Sequence, residues 1–206
     1  MIERLMKKER VTQFVYRSLI QAKVGNVVEQ KFSKSQGKFK DFTNRQDEIV
    51  SLILRQRFVT QDVRLQVFIV RVQFNMIYTN NTLFRWKLVN SDKCPFCTNC
   101  VHDPTHLFAT CRRIQTIWRN VQKMSDNLDL SIENIMCTES KLISQVYLIT
   151  LVKRFLYVQF CLKEEPKLAS LIAFLRKRKR LDGYNAKITG RIQQFLRQWK
   201  DIVIEI

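Results

Sequence analysis

Metal-binding residue types are concentrated in one short stretch of this chain. Four of the six cysteines, both histidines and two of the three prolines lie between residues 94 and 111. Thiols, imidazoles and turn-forming residues clustered in this way are typical of a metal knuckle. Three thiolates and one imidazole with no open position are the ligand set of a structural zinc. The spacing Cys94-x2-Cys97-x8-His106-x4-Cys111 therefore predicts one bound Zn²⁺.

A second set of ligands is open at this point. The alternative register is Cys97-x2-Cys100-x5-His106-x4-Cys111, and His102 could replace His106 in either register. The first register is favoured because a proline between Cys94 and Cys97 is typical of a zinc turn. Without an ion, these cysteines would be small buried apolar side chains beside a surface histidine.

Cations outnumber anions by two to one along the whole chain. The 206 residues include 36 Lys and Arg against 18 Asp and Glu, which gives a formal net charge of +18. Such an excess predicts polyanionic partners, meaning nucleic acid (RNA or DNA) or an anionic membrane face, and acidic proteins are further possible partners. The candidate phosphate-contacting residues are Lys93, Arg112, Arg113, Arg119, Lys123, Arg176, Lys177, Arg178, Lys179 and Arg180.

Residues 176–180 are five consecutive cations on a predicted helix, so they point in different directions around its axis. A nuclear-import signal, a nucleic-acid contact and a solvated helix end stabilised by the helix dipole all remain open for this run. An intracellular and specifically nuclear location is the expectation that follows from the first two.

The composition favours a helical fold. The chain has only 4 glycines and 3 prolines, so it specifies too few turns for an all-β protein. Apolar residues make up 46% of the chain, which excludes general disorder. We predict a mainly α protein, a helical bundle with a small Cys3His zinc knuckle inserted between helices. Three regions are expected: an N-terminal helical and basic linker (1–60), a zinc-binding segment (61–125) and a C-terminal helical region with the basic run (126–206).

The spacing of apolar residues predicts where the helices lie within these three regions. Helices are predicted at residues 11–24, 63–78, 112–124, 140–160, 168–180 and 186–199, with shorter elements at 48–54 and 82–88. Asp62 is the expected N-cap of the second helix. Its predicted buried stripe consists of Val63, Val67, Val70, Phe74 and Ile77, although its β-branched residues also allow a strand. Asp182-Gly183 is the predicted turn before the last helix, and Trp118 and Trp199 are expected in the core.

Neither export nor membrane insertion is expected. Residues 1–10 are charged throughout and lack the apolar run of a signal peptide. The longest apolar stretch, residues 142–151, is too short to span a bilayer. A reducing intracellular compartment is the consequence, and in such a compartment the six cysteines are not a disulfide set.

Several short motifs surround the cysteines. They are Asn81-Thr82-Leu83-Phe84-Arg85-Trp86-Lys87, Ser91-Asp92-Lys93-Cys94-Pro95-Phe96-Cys97, His106-Leu107-Phe108-Ala109-Thr110-Cys111 and Ile117-Trp118. Together they resemble the C-terminal zinc-binding region of reverse transcriptases from non-LTR (LINE-type) retrotransposons. In that family a short threonine/asparagine–leucine helix precedes the Cys-x2-Cys turn, and a His-Leu-Phe-x-x-Cys step leads into a helix. The resemblance is firm for residues 61–121, looser through residues 133–135 and the predicted helix at 148–157, and weak before residue 60.

The resemblance implies the ligands Cys94, Cys97, His106 and Cys111, and binding of template RNA or target DNA without catalysis. One position departs from the family pattern, because His102 stands where an acidic residue is usual and Asp103 is displaced by one. The family's polymerase needs paired aspartates and its endonuclease a set of carboxylates and histidines. No Asp-Asp pair occurs in this sequence. We therefore expect a non-catalytic nucleic-acid-binding domain. The alternative is a zinc-pinned helical protein-interaction adaptor, such as a host-adopted retrotransposon remnant.

Overall fold

Helices form nearly all the regular structure in the computed structural model, which describes residues 59–73, 75–137 and 142–204. The helices are α1 (Val63–Gln73), α2 (Asn80–Arg85), α3 (Arg112–Gln122), α4 (Ile132–Cys137), α5 (Ile143–Leu162), α6 (Leu168–Thr189) and α7 (Ile192–Trp199), with a π-helical turn (His106–Thr110) before α3. Within those ranges the β pairing is one bridge, between Lys93 and Val101. The mainly α prediction is confirmed. The elements predicted at 11–24 and 48–54 lie outside the described residues, and the three-part division stays a prediction.

Helix α5 is the centre of the described part of the chain. Its residues Tyr147, Leu148, Ile149 and Leu156 are completely buried. Helices α1, α6 and α7 and the π-helical turn all contact it. α5 has the length and mean hydropathy, 1.2, of a membrane span, but 67% of that stretch is buried inside the protein, as in the core helix of a globular domain. The long buried helix predicted here is thus confirmed, but it runs from Ile143 to Leu162 rather than over residues 140–160.

Helix α1 begins at its predicted cap. The Oδ1 atom of Asp62 accepts hydrogen bonds from the backbone N–H of Arg64 at 2.9 Å and of Leu65 at 3.3 Å. These bonds satisfy two donors that the first turn of a helix leaves without partners. The Asp62 side chain therefore marks the start of α1, as the sequence indicated.

The buried face of α1 differs from the predicted stripe. Leu65, Phe68, Ile69 and Val72 are buried, whereas Val63 is 68% exposed. The prediction that Val63 begins the core stripe was wrong. Most positions of α1 are apolar, so their periodicity selects no face, and aromatic packing decides instead. The Phe68 ring lies 6.3 Å from the Phe108 ring and 5.7 Å from the Tyr157 ring.

Helix α1 also ends before the predicted limit at residue 78. Asn75 adopts a left-handed conformation with φ 54°. The N–H of Met76 donates to the Arg71 carbonyl at 2.7 Å, and the N–H of Asn75 donates to the Val72 carbonyl at 3.1 Å. This pair of bonds is a Schellman cap. Asparagine forms such caps less often than glycine, so Asn75 is a weak stop signal in the sequence.

The turn predicted at Asp182-Gly183 was wrong, because α6 runs unbroken past it to Thr189. The Asp182 carboxylate is occupied by other partners: Trp199 Nε1 donates to it at 3.2 Å, and Arg178 pairs with it at 2.9 Å. It therefore does not compete for backbone N–H groups, which is how aspartate usually ends helices. The real turn is at Gly190, whose φ is 67°.

We expect Gly190→Ala to lower the free energy of unfolding by about 1 kcal/mol, since alanine is strained at positive φ. A Cβ at Gly190 would meet no atom within 4 Å, so the cost is conformational alone. Gly183→Ala is the matched control: its Cβ would lie 3.5 Å from the Phe195 ring, an ordinary contact, and helix propensity favours the alanine. Urea unfolding of both variants tests this, and an equal loss of stability in the two would contradict it.

Candidate metal centre

A narrow hairpin carries the first two predicted ligands. Lys93 and Val101 form the antiparallel bridge across it. The N–H of Cys94 donates to the Cys100 carbonyl at 2.9 Å, which closes the loop between them. The tight turn inside this loop brings Cys97 back towards Cys94, as the Cys-x2-Cys spacing predicts.

The other two ligands flank the π-helical turn. The Asp103 carboxylate accepts the N–H of His106 at 2.7 Å and caps the start of this segment. The N–H of Cys111 donates to the His106 carbonyl at 3.0 Å, across five residues. Such widened turns are uncommon and occur often at functional sites. Cys111 then serves as the residue before α3, so the last ligand is joined directly to that helix.

The four predicted ligands come together. Their ligand atoms all lie within 4.8 Å of one another. Cys94 Sγ is 3.9 Å from Cys111 Sγ, and Cys97 Sγ is 3.3 Å from His106 Nε2. In a tetrahedral zinc site, ligand atoms are about 3.8 Å apart for two sulfurs and about 3.5 Å apart for sulfur and nitrogen. The donor set and its spacing therefore fit Zn²⁺, which Cys94, Cys97, His106 and Cys111 would hold.

The surroundings of the group orient its ligands. Cys94, His106 and Cys111 are buried, and Cys97 is partly so. The Thr110 hydroxyl lies 3.4 Å from His106 Nδ1, so it can accept a hydrogen bond from that nitrogen while Nε2 faces Cys97. Such a second partner fixes the tautomer and direction of a metal-binding histidine. Spacing alone does not identify Thr110, although its position four residues after His106 on a helical segment is consistent with the contact.

The two buried thiols have opposite acidities. The hydrogen bond with Cys94, aided by the backbone N–H groups of Arg113 and Ile114, lowers the pKa of the Cys111 thiol to about 5. The same hydrogen bond and burial raise the pKa of the Cys94 thiol. Cysteine binds zinc as the thiolate. The hydrogen bond with Cys94 thus favours the thiolate of Cys111, the form that binds a metal, and the N–H groups at the start of α3 add a smaller effect. A bound ion would offset the cost of forming the thiolate at Cys94.

Cys100 and His102 do not belong to the group that the described residues form. Cys100 is exposed. His102 is completely buried, and its ring packs 4.5 Å from that of Phe160. Burial, with a smaller effect from His106, lowers the pKa of His102 to about 4, so the ring is neutral at physiological pH. The structure agrees with the first register rather than with the one that uses Cys100.

His102 instead joins the hairpin to helix α2. Its Nδ1 accepts the N–H of Asn80 at 3.0 Å, and its carbonyl accepts the N–H of Asn81 at 3.2 Å. The side-chain amide of Asn80 donates to the Lys93 carbonyl at 2.7 Å. Three hydrogen bonds therefore fasten the first turn of α2 to the metal-binding hairpin. The ligand spacing allows His102 as a possible ligand and gives no sign of this role.

The five basic candidates near the metal centre are all exposed: Lys93, Arg112, Arg113, Arg119 and Lys123. Arg113 forms a solvent-exposed ion pair with Glu165 at 3.6 Å, a contact of small energetic value. Arg119 donates to the Thr116 hydroxyl at 3.3 Å. These side chains are available to a ligand, and their contact with nucleic acid stays a prediction.

The five consecutive cations at residues 176–180 point in different directions around helix α6. Arg178 turns inward and pairs with Asp62 at 2.6 Å and with Asp182 at 2.9 Å. Lys179 lies over the Trp199 ring at 5.7 Å, a cation–π contact. The remaining three, Arg176, Lys177 and Arg180, are exposed. Arg176, Lys179 and Arg180 line a groove of about 500 Å³ together with residues 202–204. A nucleic-acid role for this run stays a prediction.

The family model described as zinc-binding in reverse transcriptase matches residues 35–118. The match includes all four ligands and extends further towards the N-terminus than the firm resemblance noted from the motifs. The matched family is an accessory zinc-binding domain and not a catalytic one. Searches of curated proteins and of solved structures give no significant match. The resemblance inferred from the motifs is thus confirmed: residues 35–118 of this chain are similar to the zinc-binding region of reverse transcriptases.

Proposed function

We propose that this chain is a non-catalytic nucleic-acid-binding domain, related to the C-terminal segment of a non-LTR retrotransposon reverse transcriptase. Its zinc ion would be structural and its ligand template RNA or target DNA. The observation that carries the proposal is the junction at Cys111, where a metal ligand directly precedes a helix with one buried face and one basic face. A nuclear location is part of the same proposal.

The two faces of α3 are sharply separated. Ile114, Ile117, Trp118 and Val121 are buried. The Trp118 indole N–H donates to the Phe108 carbonyl at 2.6 Å and so ties α3 to the π-helical turn. The exposed side of α3 bears three arginines, and Lys123 follows its last turn. Fixed cations of this kind are suited to phosphate contacts that position a protein on nucleic acid.

Salt dependence tests the proposal. In fluorescence-anisotropy titrations with single-stranded RNA and duplex DNA, we expect binding whose log–log salt slope is about −5, the value for roughly six neutralised phosphates. Changing Arg112, Arg119 and Lys123 together to glutamine should reduce that slope by about 3. The same charge removal at Arg191, Arg197 and Lys200 is the control and should change it less. Absence of binding at low salt would refute the proposal.

One observation favours a protein-interaction adaptor as the second candidate. Five apolar side chains are exposed along α6 and α7: Leu181, Tyr184, Ile188, Ile192 and Leu196. Exposed apolar side chains on two neighbouring helices can form a contact with another protein, and the surrounding cations would select acidic partners. Salt-sensitive capture of proteins that persists after nuclease treatment, with no nucleic-acid binding, would support the adaptor instead.

A further inference from the structure

An exposed segment with aromatic side chains covers the end of helix α2 and the residues after it. The five consecutive residues Phe84-Arg85-Trp86-Lys87-Leu88 are all exposed and alternate between apolar and basic side chains. Trp86 is 55% exposed, whereas Trp118 and Trp199 are 3% and 4% exposed. Trp118 and Trp199 are therefore core residues, whereas packing in the core does not account for a tryptophan at position 86.

A second ring supports the indole. Tyr78 is also exposed, and its ring centroid lies 5.5 Å from that of Trp86 at an interplanar angle of 62°, an edge-to-face contact. Such pairs are favourable beyond the area that they bury. Tyr78 and Trp86 thus form a two-ring surface cluster, here called the Trp86 platform, in which one ring braces the other.

The platform has a fixed position relative to the metal-binding hairpin. The N–H groups of Trp86 and Leu88 both donate to the Leu83 carbonyl, at 3.2 and 2.9 Å, and Lys87 adopts a left-handed conformation with φ 59°. These backbone hydrogen bonds cap the end of α2 and fix the backbone at Trp86. The start of α2 is held by the bonds of Asn80 and Asn81 to the hairpin. A surface fixed in this way loses little entropy on binding.

The segment carries two cationic side chains, Arg85 and Lys87. Among the described residues, no ion pair involves Arg85 or Lys87. Lys93 adds a third exposed cation from the attached hairpin. An exposed π-face between cations matches single-stranded nucleic acid, whose bases stack on aromatic rings while its phosphates meet basic side chains. The paired and stacked bases inside a duplex offer no such free face.

We propose that Trp86, braced by Tyr78, is a stacking platform for unpaired bases of single-stranded nucleic acid, and that Arg85 and Lys87 contact the flanking phosphates. This proposal rests on the proposed nucleic-acid function and specifies the strandedness of the ligand. A partner protein would use the same rings as an apolar anchor but would give no preference for single strands.

The test uses the zinc-loaded full chain with labelled oligo(U), oligo(dT) and duplex DNA, the single strands about 15 nucleotides long, within the site sizes of stacking proteins. Trp86→Ala should weaken binding to both single strands about tenfold and duplex binding less than about twofold, since base stacking on one aromatic ring has effects of this size. Trp86→Phe should retain most of the affinity. The control is Tyr184→Ala, which removes an exposed ring from α6 and should change nothing.

Intrinsic fluorescence gives an independent readout. Because Trp86 is the exposed member of the three tryptophans, unlabelled oligo(U) should quench the emission of the wild-type chain and leave that of Trp86→Phe unchanged. Wild-type binding without quenching, or equal losses on single strands and duplex in Trp86→Ala, would overturn this proposal and leave the proposed function intact. No binding of any nucleic acid by the wild-type chain would overturn both.

Discussion

Replacing Cys97 by serine should abolish stoichiometric zinc binding and partly unfold residues 82–124. A serine hydroxyl is a poor zinc ligand, and the three remaining ligands would leave a coordination position open. Structural zinc contributes about 10–16 kcal/mol of apparent binding free energy in zinc-finger peptides, and that free energy is folding free energy. Metal analysis of the purified protein and a thermal unfolding curve followed by circular dichroism measure the two effects.

Cys100→Ser is the matched control for this prediction, since it makes the same chemical change three residues further along the chain. Cys100 is exposed and lies outside the ligand group of the described residues. Its zinc content should equal that of the wild type, and its stability should change by less than about 0.5 kcal/mol. Loss of zinc in Cys100→Ser would instead show that the alternative register is correct.

Asp182→Ala should cause the largest loss of stability away from the metal, about 3 kcal/mol. The Asp182 carboxylate accepts hydrogen bonds from the Tyr147 hydroxyl and the Trp199 indole and pairs with Arg178. It therefore joins α5, α6 and α7. Its removal leaves a buried hydroxyl and an indole N–H without their acceptor and takes one of two carboxylates from Arg178.

Urea unfolding measures this effect. Asp126→Ala, at an exposed aspartate, is the control and should lie within about 0.5 kcal/mol of the wild type. Asp182→Asn should lose less than Asp182→Ala, since the amide oxygen still accepts one hydrogen bond. If Asp182→Ala and Asp126→Ala unfold at the same urea concentration, the carboxylate does not hold the three helices together.

The metal ligands and helix α3 could be predicted because their signals are local. The Cys94 to Cys97 spacing brings two sulfurs together through a single turn. In α3 the polar and apolar residues separate cleanly at helical spacing, so its buried side follows directly from periodicity. In both cases, the prediction depends on residues that are close together in the sequence.

The predictions that were wrong concern features that residues distant in the sequence determine. The face of α1 depends on Phe108 and Tyr157, which lie far along the chain from Phe68. Asp182 remains helical because Tyr147 and Trp199 occupy its carboxylate. No local pattern contains these contacts.

His102 and Trp86 illustrate a different limit. Composition marked His102 as a candidate ligand, but its hydrogen bond to Asn80 makes it a connector between the hairpin and α2. In a sequence, an aromatic residue such as Trp86 is compatible with both core and surface positions. The structure places Trp86 at the C-cap of α2, a helix with no buried residue, and there its side chain is exposed.

The central claim is that one zinc ion bound by three sulfurs and one imidazole nitrogen organises this part of the chain. Zinc K-edge X-ray absorption on the purified 206-residue chain tests it most directly. The account predicts stoichiometric zinc with three sulfur neighbours at about 2.3 Å and one nitrogen neighbour at about 2.0 Å. A chain that binds no zinc, or a first shell of two sulfurs and two nitrogens, would contradict it.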